Sequence, residues 1–173
     1  DYHKNLKNYL KAKLYLFEEL IKKSGNLITD QKIPEFKKIK KIASVKNLKL
    51  FSLFDNKNKF QLLSHKFEGE GQLLEIKYKK SIYKIKLNLI GKVQLKNMLM
   101  AIIASIKSNI SIKDIFNVIP SIKPVNGRFE KIGKIKNNSK VILDYAHTPD
   151  ALKTCLKNLK EQFSSHKVSL VFG

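Results

Sequence analysis

A single cysteine, Cys155, in 173 residues excludes an internal disulfide framework. There is no tryptophan, and seven glycines with four prolines are too few for a collagen-like or linker-like chain. Long hydrophobic runs are also missing. The longest apolar stretch, Met98–Ile106, is interrupted by Ser105 and is too short to span a bilayer. The opening residues, Asp1-Tyr2-His3-Lys4, have no apolar segment behind their basic residues, so they do not read as a secretory leader. These absences point to a reducing, cytoplasmic setting without a membrane contact. Arginine is the scarcest charged residue: Arg128 is the only one among 35 basic side chains.

Hydrophobic residues make up 43% of the chain and charged residues 28%, enough for one core or for parts of two. The net charge of +21 has two readings. A nucleic-acid binder gains affinity by displacing counterions from phosphates. Biased composition gives the same total, and lysine, isoleucine and asparagine are abundant together. The lysines are scattered rather than gathered in one tract, which favours bias. Where lysine meets most needs for positive charge, Arg128 marks either a position that requires a planar guanidinium fork or a chance survivor.

Periodicity predicts a mixed α/β chain. An amphipathic helix is expected over 5–23, a short strand at Leu27–Thr29, a second helix over Pro34–Lys41, and short strands at Ile42–Val45 and Lys49–Phe54. Alternation in Leu74–Tyr78 and Ile82–Leu87, separated by Lys79-Lys80-Ser81, predicts an antiparallel hairpin. Leu95–Ser108 reads as a buried helix, and Ser111 caps a second one that Pro120 ends. Pro124-Val125-Asn126-Gly127 has turn chemistry, so a domain boundary is placed between 126 and 127. Beyond it come a strand over Phe129–Ile135, a buried strand at Val141–Leu143, a helix from Pro149 to about Phe163, and a strand at Val168–Phe172. The last three form a βαβ pattern, which implies a parallel sheet.

Two positions stand out chemically. Asp144 follows an apolar strand directly, while Thr148 and Pro149 suit the cap and first turn of the next helix. Asp144 to His147 therefore form the loop at the carboxyl end of a strand, where α/β sheets bind ligands, and a carboxylate there accepts ribose hydroxyls. An ordinary solvated turn is the other reading. Lys13 lies four residues from both Tyr9 and Phe17 and three from Leu10 and Leu16, which places it within an apolar face. Burial there would favour its neutral amine. A lysine that snorkels from the core edge is the alternative.

The run Asp144-Tyr145-Ala146-His147-Thr148-Pro149-Asp150-Ala151-Leu152 resembles the start of the third domain of Mur ligases. Gly127-Arg128-Phe129-Glu130 is similar to the family's Gly-Arg-Met-Glu element at its domain junction. Gly91-Lys92-Val93-Gln94-Leu95-Lys96-Asn97 resembles its Gly-x-Phe-Asn-x-x-Asn element, with Val93 and Gln94 departing from the pattern. Asp1-Tyr2-His3 with Tyr9, Lys13 and Phe17 resembles the helix that bears the family's carbamylated lysine. The resemblance implies that Asn97, Arg128 and Asp144 hold ATP, with His147 beside them. It implies that Lys13, through its carbamate, is a catalytic Mg²⁺ ligand. His3 matches a different histidine from the metal ligand. Residues 1–126 would be the later part of a central ATP-binding domain with a mixed sheet, and 127–173 the start of a Rossmann-like C-terminal domain.

The activity so implied is ATP-dependent amide formation. It adds the third amino acid, diaminopimelate or lysine, to a UDP-N-acetylmuramoyl dipeptide in a protein expected to be monomeric and cytoplasmic. No Gly-x-x-x-x-Gly-Lys-[Ser/Thr] loop occurs in the sequence, so residues 1–173 alone are expected to be inactive. The alternatives are a related ligase of the folylpolyglutamate or cyanophycin synthetase type, and a basic nucleic-acid binder.

Overall fold

A computed structural model describes residues 4–55 and 59–172. The Asp1-Tyr2-His3 part of the N-terminal resemblance lies outside the described residues. The fold is mixed α/β, as expected, and it is organised around three small sheets. Among the described residues no helix is long and apolar enough to cross a membrane.

The first helix, α1 (Leu6–Tyr15), continues into a π turn at Leu16–Leu20, closed by Ile21 N–H donating to the Leu16 carbonyl at 3.0 Å. Apolar residues on this helix form two stripes. Leu10, Leu14, Phe17 and Ile21 pack against α2 (Phe36–Val45) and β1 (Asn26–Asp30), burying Leu14, Leu27, Ile39 and Ala43. The second stripe, Leu6, Tyr9, Leu16 and Leu20, stays exposed. Lys13 belongs to this second stripe and is itself exposed, which sets aside the buried reading and leaves a lysine open to solvent on an apolar stripe. The apolar arc of the sequence is wider than the surface its neighbours can cover.

The Ile42–Val45 strand expectation is also corrected: these residues finish α2. The β-branched residues misled, because Ile39, Ile42 and Ala43 serve the helix's buried face. The helix connects β1 to β2 (Lys49–Leu53) in parallel register, Asn26 to Lys49 and Asp30 to Leu53, giving a βαβ unit. Three antiparallel strands follow, β3 (Phe60–Glu68), β4 (Gly71–Tyr78) and β5 (Ser81–Leu87). Their inner residues, including Leu74, Ile76, Ile85 and Leu87, pack on α3 (Gly91–Lys107) through Leu95, Met98, Leu99, Ile102 and Ile103. The helical residues recur at steps of three and four, one continuous buried stripe. Helix α4 (Ile112–Val118) starts at Ser111, whose hydroxyl accepts from the Asp114 N–H at 3.2 Å, as the capping pattern predicts.

In the last segment β6 (Glu130–Lys134) and β7 (Lys140–Leu143) pair antiparallel, and α5 (Pro149–Gln162) follows. Residues 168–172 form no strand, so the expected parallel pairing with β7 is absent among the described residues. A strand needs a hydrogen-bonded neighbour, and here Leu170, Val171 and Phe172 stand exposed. Likewise β7 is half-buried rather than buried, with Leu143 open to solvent. A third core of Ile90, Phe129, Cys155 and Phe163 packs α5 against the entry to α3.

Candidate functional site

The turn at Gly127–Glu130 and the loop at Asp144–His147 are held together by one carboxylate. Asp144 Oδ2 accepts the Phe129 N–H at 3.0 Å, and Oδ1 accepts the Ala146 N–H at 3.0 Å. Tyr145 N–H donates to the Gly127 carbonyl at 2.8 Å, and Gly127 N–H donates to Glu130 Oε2 at 2.7 Å. Phe129 sits at φ +48°, in the left-handed region that a bulky side chain rarely adopts. Its burial and its bond to Asp144 hold that conformation. Each Asp144 oxygen spends one lone pair on the backbone and keeps another.

Tyr145 projects into solvent between two of the predicted residues. The Arg128 guanidinium carbon lies over its ring at 5.5 Å from the centroid, and the His147 ring meets it edge-on at 5.1 Å. His147 Nδ1 is 3.0 Å from the Tyr145 carbonyl. A carbonyl only accepts, so Nδ1 is the donor in this contact. Arg128 and His147 are both exposed, so the edge offers a guanidinium fork, an imidazole and an aromatic face around one half-buried carboxylate. That set suits an anionic, ribose-bearing ligand.

Asn97 is exposed on α3, and that helix reaches the same turn through Gln94, whose Nε2 donates to the Arg128 carbonyl at 3.3 Å. Arg128, Asp144 and His147 are thus brought together, and Asn97 is carried by the helix that contacts them. Lys13 stands apart on α1, its ammonium 5.2 Å from the Tyr9 ring centroid. No group of three or more metal-ligating side chains occurs among the described residues. Lys13 would offer a metal one ligand, and only after carbamylation.

Sequence reasoning missed Asp30. It is buried at the end of β1, accepts the Lys32 N–H at 2.9 Å and pairs with Lys96 on α3 at 2.7 Å. The signal was available, since Asp30 follows an apolar strand just as Asp144 does. The pair ties the carboxyl end of a parallel strand to the helix that carries Asn97.

Cys155, beneath the Asp144 loop, is held as a thiol. Burial pushes it up to about 11 from 9.0, and the Asp144 carboxylate adds to this. At pH 8 alkylation by iodoacetamide should run about a hundredfold slower in the native protein than in urea, from the thiolate fraction alone. A raised thiol favours the folded state below pH 9.0, and this contribution is lost as pH rises from 9.0 through about 11. Equal alkylation rates would place Cys155 outside the core.

Two family models match the chain. Residues 1–105 match the Mur ligase middle domain, and residues 127–173 match the Mur ligase, glutamate ligase domain. A UDP-N-acetylmuramoyl-L-alanyl-D-glutamate–2,6-diaminopimelate ligase of Zymomonas mobilis is 32% identical over 160 residues, 92% of this chain and 33% of that protein. The chain thus spans about a third of the length of the curated relatives it matches. Among solved structures, MurF from Acinetobacter baumannii superposes with a TM-score of 0.76 at 16% identity, covering 92% of this chain and 34% of that one. The folylpolyglutamate synthetase of Lactobacillus casei reaches 0.66 at 19% identity, covering 91% and 40%. These likenesses are of fold.

Proposed function

The chain belongs to the Mur ligase family, and on that premise we propose that the intact protein is an ATP-dependent ligase adding diaminopimelate to UDP-N-acetylmuramoyl-L-alanyl-D-glutamate. The observation that carries this reading is the Asp144 junction, where one carboxylate fastens the Arg128 turn to the His147 loop and still has lone pairs to offer. The amino-acid choice rests on the relatives of 30–32% identity, whose names specify diaminopimelate.

In the proposed reaction a substrate carboxylate oxygen attacks the terminal phosphorus of ATP, and ADP leaves. The amine then attacks the acyl carbon, a proton is lost from nitrogen, and inorganic phosphate departs. This chain's contribution is positioning and charge. Asp144 accepts ribose hydroxyls, Arg128 faces the phosphates, Asn97 approaches the base and His147 flanks them. Lys13 is assigned a carbamate, formed when its neutral amine attacks carbon dioxide and loses a proton. Mg²⁺, bound by such a carbamate and by ligands outside the described residues, would supply charge neutralisation. The division at 126/127 is retained, supported by the turn at Gly127 and the two separate family matches. The sequence contains no phosphate loop, so residues 1–173 alone are not expected to turn over ATP.

The test uses the intact protein. Phosphate release should require ATP, the UDP-linked dipeptide and diaminopimelate together, and lysine should substitute poorly. Release that continues undiminished without the amino acid would sink the ligase reading.

A further inference from the structure

Helix α3 begins without a cap of its own. Its N-cap residue, Ile90, has no side-chain acceptor, yet the first N–H groups of a helix need partners. Those partners come from α5, about seventy residues later in the chain. Gly91 N–H donates to Gln162 Oε1 at 2.7 Å, and Val93 N–H donates to Asn158 Oδ1 at 3.2 Å. Both amide side chains are buried, and each is satisfied elsewhere as well. Asn158 Nδ2 donates to the Thr154 carbonyl at 2.8 Å, and Gln162 Nε2 reaches the Gly69 and Gly71 carbonyls at 3.5 and 3.4 Å. A third buried amide, Gln72, donates to the Leu89 and Gly91 carbonyls at 2.7 and 3.1 Å.

Gly91 is required by this approach. It sits at φ +86°, and a Cβ there would lie 3.1 Å from Asn158 Oδ1. Next to the cap, Ile90 packs with Phe129, Cys155 and Phe163, and one turn along α3 Gln94 reaches the Arg128 carbonyl. An apolar contact alone tolerates sliding, whereas a satisfied buried amide network has one register.

We infer that Asn158 and Gln162 are positioning residues: by capping α3 from α5, they set where α3 presents Asn97 against the Arg128–Asp144 junction. Neither touches the nucleotide. The inference rests on the proposed nucleotide site for its functional part, while the cap itself is independent of it.

The experiment has two arms in the intact protein. Hydrogen–deuterium exchange at residues 90–97 reads the cap, and steady-state kinetics reads the positioning. Gln162→Leu removes the acceptor, and Gln162→Glu keeps an acceptor oxygen while setting a buried carboxyl group against the Gly69 and Gly71 carbonyls. Expected for Gln162→Leu are faster exchange at Gly91 and Val93 and a KM for ATP raised about tenfold, the equilibrium effect of one lost buried hydrogen bond, with kcat little changed. Gln162→Glu should restore part of both, since Gly91 N–H regains an acceptor. If Gln162→Leu does not fold, Asn158→Leu against Asn158→Asp makes the same comparison. Unchanged exchange overturns the cap, and faster exchange with an unchanged KM overturns the positioning role. A wild-type protein that never turns over ATP removes the ligase reading and the positioning with it, while the exchange result still decides the cap.

Discussion

Asp144→Ala is expected to lower stability by about 2–4 kcal/mol and to abolish ATP binding, the first part being the cost of leaving two partly buried backbone N–H groups unpaired. The two losses arise from one carboxylate with two kinds of partner. Phe129 and Ala146 donate to it from the protein, and its remaining lone pairs are those the ribose would use. Phe129 adds to the cost, because its left-handed backbone has Asp144 as its hydrogen-bonded restraint. Asp144→Asn separates the two roles. An asparagine oxygen accepts one N–H, but its NH₂ then points at the other donor. It should lose about half as much stability as the alanine variant and nearly all the ATP affinity. Urea denaturation and nucleotide binding, measured on both variants, check this. An alanine variant with native stability would contradict the hydrogen bonds, and one that binds ATP normally would remove Asp144 from the site.

Residues whose pattern is local were legible in the sequence. The Asp144 loop was readable because its cap, its proline and its preceding apolar strand are contiguous, and the structure places Thr148 as the cap of α5 as expected. The alternation in β4 and β5 and the stripe of α3 were readable for the same reason. What failed depends on neighbours. The width of the apolar arc on α1 does not say which stripe is covered, so the sequence leaves Lys13 between burial and exposure, and the structure exposes it. The β-branched run ending α2 looks like a strand until β1 and β2 pair around it. Val168–Phe172 has strand composition but no ladder partner among the described residues. Asn158 and Gln162 read as two polar residues on an amphipathic helix. Their meaning appears only when α3 arrives without a cap, and nothing within α5 announces that.

Lys13→Ala should leave stability nearly unchanged and reduce ligation by about a hundredfold or more, the scale of removing one preorganised electrostatic group. The two halves of this expectation come from different facts. Lys13 is exposed and its contact is an ammonium 5.2 Å from the Tyr9 centroid, an interaction worth about 0.5–1 kcal/mol at an exposed site. As an ordinary surface lysine it would therefore be silent in both assays. A carbamate there would make it silent in one only, since the loss would fall on the reaction and not on the fold. A short carboxylic acid supplied in solution should then restore part of the activity, because it would return oxygens to the position proposed for the carbamate. Lys13→Arg should not, because a guanidinium stays charged and cannot add carbon dioxide. Activity that survives Lys13→Ala would show that the exposed stripe of α1 is surface and nothing more. Loss without carboxylate rescue would point to the ammonium itself as the working group.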